Sequence, residues 1–94
     1  MVKEEYKRAK TAITRIVIDA MKPKELPLID LASVLCLVDG VDQVHITVSE
    51  VDARTETMKI IIVGNNIDCD ELYKMLENHG CALRSTDEVV AIRS

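Results

Sequence analysis

Three carboxylates form the most chemically suggestive grouping in the chain. Asp19 lies inside the apolar run Arg15–Pro23 (RIVIDAMKP), and Glu50 and Asp52 flank the end of an alternating run. A carboxylate inside a strand that is apolar on both faces needs a partner or an exit to water. Oxygen donors of this kind suit a hard divalent cation, calcium or magnesium. Parity works against simple convergence: Glu50 and Asp52 share the parity of Val48, whereas Asp19 shares that of Val17. The three meet only if the strand ends twist or a neighbouring subunit supplies part of the site. The competing expectation is a solvated acidic rim, with Asp19 paired to Arg84 across two strands.

The other reactive side chains point to less. Cys36, Cys69 and Cys81 form no C-x-x-C pair. An odd cysteine count without a signal-like start reads as free thiols in a reducing cytosol. His79 and Cys81 lack the second ligand pair that a structural zinc requires. His79 is therefore expected to cap a helix and Cys81 to be buried. Cys69 falls in a first helical turn but has no histidine partner in view. No Ser-His-Asp spacing and no phosphate-binding glycine loop occurs; Gly40, Gly64 and Gly80 read as turns or caps. Lys22-Pro23-Lys24 reads as a solvated loop, because Glu25 follows at once. His45, Thr47 and Ser49 line the polar side of one strand.

Composition narrows the partners. The 94 residues make one domain, 48% apolar and almost entirely aliphatic, with no Phe or Trp and two Tyr. Twelve basic and 16 acidic residues give a net charge of −4. A nucleic-acid binder would show a basic face or aromatic platforms, so no such partner is expected. No apolar run approaches the ~20 residues of a membrane span.

Periodicity supplies the elements that must position these groups. A charged leader over residues 1–11, with a possible helical turn at Glu4–Arg8, precedes a single domain over 12–94. Ala12–Met21 reads as a strand, apolar on both parities and therefore central. Leu28, Leu31, Ala32, Leu35 and Val38 recur at helical spacing, with Pro27 at the start and Gly40 beyond the end. Val41–Val51 alternates as a half-buried strand, and Thr57–Gly64 is the next. Asp68 and Glu71 make an acidic capping box, with Ile67 and Leu72 at the staple positions, for a helix that ends at Gly80. Cys81–Ile92 is the last strand. The order β-α-β-β-α-β predicts an α+β ferredoxin-like sandwich: an antiparallel sheet of order 4-1-3-2 with both helices on one face. The expected core is Ile16, Ile18, Leu31, Leu35, Val44, Ile46, Val48, Ile60, Ile62, Leu72, Leu76 and Leu83.

Four stretches, RIVIDAMKP, DGVDQVHITVSEVD (Asp39–Asp52), ETMKIIIVGNNID (Glu56–Asp68) and STDEVVA (Ser85–Ala91), occur in register after the leader. Together they resemble an archaeal family known as Domain of Unknown Function 211. The resemblance implies the ferredoxin-like fold and ring-like homo-oligomers, and no assigned activity.

The expectation is a non-enzymatic, cytoplasmic, homo-oligomeric module that binds a small ligand or divalent cation at subunit boundaries. The alternatives are a ligand-sensing regulatory domain and an enzyme using the Asp19 region for acid–base chemistry. The helix-free face should carry an apolar patch of Ile13, Val17, Ile61 and Val63, large enough to mark an interface. The last strand, at the sheet edge, should join subunits through Val90, with Asp87 and Glu88 pairing to basic groups next door.

Overall fold

The computed structural model describes residues 10–93. The leader and its Glu4–Arg8 turn lie outside the described residues, apart from Lys10 and Thr11, and Thr11 already belongs to the first strand. The elements run β1 (Thr11–Pro23), α1 (Leu28–Leu35), β2 (Val41–Val51), β3 (Thr55–Gly64), α2 (Cys69–Asn78) and β4 (Ala82–Arg93). The strands form one antiparallel sheet in the order β2-β3-β1-β4. This is the expected α+β ferredoxin-like fold, with β1 central and β2 and β4 at the edges.

Helix-side residues of the inner strands, Ile16, Ile18, Ala20, Met58, Ile60 and Ile62, form one cluster with Leu31 and Leu35 of α1 and Leu72 and Leu76 of α2. Both helices therefore cover the same face. The regular part of α1 is shorter than its apolar period. After Leu35 the chain tightens: Leu37 N–H donates to Val34 and Val38 N–H to Leu35, at 3.0 and 3.2 Å. That i→i−3 turn still delivers Val38 to the core at 2% exposure. Gly40 then adopts φ +86° and packs its carbonyl against Gly64 so closely that no Cβ fits there.

At the start of α2, Asp68 accepts from Glu71 N–H at 3.1 Å, as an N-cap should. The reciprocal half of the capping box is absent. Glu71 instead accepts from Asp39 N–H at 2.9 Å, and Asp68 N–H donates to the Asp39 carbonyl at 3.0 Å. The Glu71 carboxylate and the Asp68 backbone N–H thus tie α2 to the turn that follows α1.

The burial pattern corrects two expectations. Leu83 is 47% exposed rather than core, because it stands on the outermost strand where α2 does not cover it. Val44, Ile46 and Val48 are only half-buried, since β2 is the opposite edge. Met58, Ala20, Val38 and Ile67 complete the core in their place.

Candidate functional site

Bulges decide which face each candidate residue reaches. The ladder between β2 and β3 slips at Ser49, so Val48 stands opposite Met58 but Glu50 opposite Thr57. Thr57 in turn stands opposite Met21. Cross-strand partners share a face, so Glu50 moves to the helix-free face that Asp19 occupies. This partly removes the parity conflict. Asp19 is half-buried between Lys59 on β3 and Ser85 on β4. Asp52 lies exposed in the β2–β3 turn, where its N–H donates to Thr55 at 2.8 Å. Glu50 and Asp19 remain on strands separated by β3. Among the described residues no three His, Cys, Asp or Glu side chains come together as a metal site. Arg84 forms no ion pair with Asp19; it occupies a slip in the β1–β4 ladder, between Ser85 opposite Asp19 and Leu83 opposite Ala20.

Of the basic stretch, Lys24 is exposed as expected, but Lys22 is not solvated. Lys22 ends β1 on the helix side, two residues on from Ala20, and is 3% exposed. Its ammonium donates to the carbonyls of Pro23 and Leu26 at 3.2 and 2.7 Å and pairs with Glu56 at 2.8 Å. Those contacts match the three N–H donors of a lysine, so none is left for an anion. The parity of Ile16, Ile18 and Ala20, carried on to Lys22, is the signal in the sequence that foretells this. Cys81 is buried nearby, and desolvation pushes its thiol pKa up while the Lys22 charge acts in the opposite sense. His79 Nδ1 lies 2.8 Å from the Met75 carbonyl, the capping role expected of it.

The apolar patch on the helix-free face is smaller than expected, because Ile13 leaves that face and Val17 is buried. A slip at Thr14 sets Ile13 opposite Ala91 but Arg15 opposite Val90, and Ile13 packs against the core. Ala12, opposite Ile92, stands on the helix-free side instead but is itself buried. Val17 is buried at 3%, while Ile61 and Val63 are half-buried. On β4, Val90 and Ile92 extend this surface with 37% and 48% exposure. Glu88 already has an internal partner, Arg15, at 2.9 Å, and Asp87 accepts from Ser85 at 2.8 Å.

All twelve residues of β4 are exposed. Slips at Arg84 and Asp87 interrupt its first half, and Glu88–Arg93 carries no slip of its own. On the helix side, Leu83, Thr86 and Val89 stand opposite the core residues Ala20, Ile18 and Ile16. Tyr73 of α2 reaches this strand through a 3.1 Å hydrogen bond between its hydroxyl and that of Thr86. Clefts open on either side of that bridge. One, of about 460 Å³, is lined by Tyr73, Leu76, Cys81 and Leu83 among others. The other, of about 430 Å³, includes Ile13, Cys69, Tyr73 and Val89 and has Asp39, Asp68 and Asp70 among its lining residues. Among the described residues no helix is long and apolar enough to cross a membrane.

The model of an archaeal family of uncharacterised proteins, Domain of Unknown Function 211, matches residues 14–94. An uncharacterised protein of Methanocaldococcus jannaschii is 46% identical over 79 residues, which cover 84% of this chain and 81% of the relative. A match over nearly the whole described sheet and both helices, with the predicted βαββαβ order realised, settles the relationship: the chain belongs to the archaeal family Domain of Unknown Function 211.

Proposed function

We propose that this protein is a non-enzymatic binding module that assembles with its own copies into a ring, joined edge to edge through β4 and β2. The observation that carries this reading is β4: an edge strand exposed along its whole length, bearing Leu83, Val89, Val90 and Ile92 at 37–52% exposure. Unpaired ladder groups beside exposed aliphatic side chains favour strand addition. β2, with eleven residues against twelve, offers a free edge of similar length. Two different edges in contact give a heterologous joint, and a constant rotation closes such joints into a ring.

Direction supports the pairing. Rotation about an axis parallel to the strands keeps strand direction and helix side from copy to copy. β2 runs parallel to β1, and β4 antiparallel to it. The next copy's β2 then meets β4 as an antiparallel neighbour, and with no axial shift its Glu50 stands level with Ala82, since Glu50 is opposite Thr57, Thr57 opposite Met21 and Met21 opposite Ala82. A calcium or magnesium ion at this boundary would draw on Glu50 and Asp52 of one copy and Asp19 of the next. A small ligand bound at the boundary belongs to the same reading.

Native mass spectrometry and sedimentation of the full chain test the assembly. Of two successive N–H groups on an edge strand, one faces the inner neighbour and the other faces outward. Proline is tolerated only where the N–H faces outward. Whichever of Val89→Pro and Val90→Pro keeps native circular dichroism should therefore break the assembly. Full subunit number in that variant, or a wild-type chain monomeric at micromolar concentration, overturns the reading.

A further inference from the structure

We propose that helix α1 of the neighbouring copy closes the cleft between α2 and β4, with Ile29 packing against Leu83. The inference rests on the edge-to-edge assembly above and names a second contact within it. The helix layer of one subunit is too narrow for its own sheet: Leu83 on β4 stands opposite the fully buried Ala20 yet is itself 47% exposed. The cleft beside it, about 460 Å³, has an apolar wall of Tyr73, Leu76 and Leu83. At the other edge of the sheet, α1 packs next to β2 and shows Ile29 at 80% exposure, the highest among the large exposed aliphatic residues. One edge thus has uncovered apolar sheet, and the other has an uncovered apolar side chain on a helix.

The geometry of a continued sheet brings the two together. When the next copy's β2 adds to β4 with its helices on the same side, the helix packed on β2 comes to lie over the helix side of β4. The levels along the strands agree as well. Ile29 is the second residue of α1, just after the Lys24–Pro27 loop that leaves the end of β1. Leu83 stands opposite Ala20, close to that same end. Both side chains therefore lie toward one end of the sheet, and a joint without axial shift sets them face to face. An apolar side chain leaving water for such a cleft favours association.

Ile29→Asp and Leu83→Asp, each in the full chain and checked for native circular dichroism, test the contact by sedimentation and native mass spectrometry. Each alone should raise the concentration needed for assembly at least tenfold. Mixing the two variants is the stronger measurement. A pair made of one of each retains a single joint with both native residues, so the mixture should form dimers and nothing larger. If both variants keep the wild-type subunit number and concentration dependence, the strands join without this helix contact and the inference fails while the assembly stands. If both dissociate and the mixture stays dissociated, Ile29 and Leu83 do not face each other and the inference fails. A monomeric wild-type chain instead removes the assembly itself.

Discussion

At the scale of single residues, the three thiols differ by environment alone. Cys36 is exposed, Cys69 half-buried and Cys81 buried. Burial raises the Cys81 pKa, which lowers its thiolate fraction as well as its access, whereas Lys22 acts the other way. Labelling with a thiol reagent under native conditions should modify Cys36 first and Cys81 only on unfolding. Rapid native modification of Cys81 would show that the α2–β4 junction opens. The Lys22–Glu56 pair is the other residue-level feature with a measurable consequence. Glu56→Ala leaves a buried ammonium with only its two carbonyl partners. The expected loss, read by urea unfolding, is roughly 1.5–3 kcal/mol, the worth of a hydrogen bond to a charged group. A loss below about 0.5 kcal/mol would mean that water replaces the carboxylate without cost.

At the scale of elements, the two helices hold to the sheet by different means. α1 has Pro27 at its N-cap and no side-chain cap bond, so its stability comes from burying Leu31 and Leu35. Leu35→Ala should cost about 2–5 kcal/mol through the cavity it leaves. α2 has a true cap in Asp68, and the Glu71 carboxylate with the Asp68 backbone N–H anchors the Asp39 turn. Asp68→Ala should cost about 1 kcal/mol as an ordinary N-cap loss. Glu71→Ala should also destabilise, because it releases the Asp39 N–H. If Glu71→Ala is silent in thermal unfolding, the bond from Asp39 N–H to Glu71 contributes nothing measurable.

At the scale of the whole molecule, the separation of the acidic residues makes cation binding conditional on assembly. Asp19, Glu50 and Asp52 do not gather within one subunit. Calorimetry with calcium or magnesium should therefore give binding heat for the assembled chain. It should give none for the proline variant that dissociates it. Glu50→Gln combined with Asp52→Asn should abolish that heat. Heat that survives this double change would remove the site, and no heat in the wild type would leave the three acids as a solvated rim.

The sequence by itself determined the order of elements, the central place of β1 and most of the helix-side core. Those follow from local periodicity: Ile16 and Ile18, Leu31 and Leu35, Leu72 and Leu76 bury where their spacing says they must. Parity also carried the position of Lys22, as an even-numbered neighbour of Ala20. Only the tertiary structure decided which face the residues beyond a bulge would take. One extra residue at Thr14 moved Ile13 to the helix side, against the core, and one at Ser49 moved Glu50 to the helix-free face. Bulges leave little local signature, because they are set by how two distant strands fit their twist together. The exposure of Leu83 is tertiary for a similar reason. Its apolar character predicts burial, but whether a helix reaches the outermost strand depends on the width of the helix layer against that of the sheet, and at β4 the sheet is the wider.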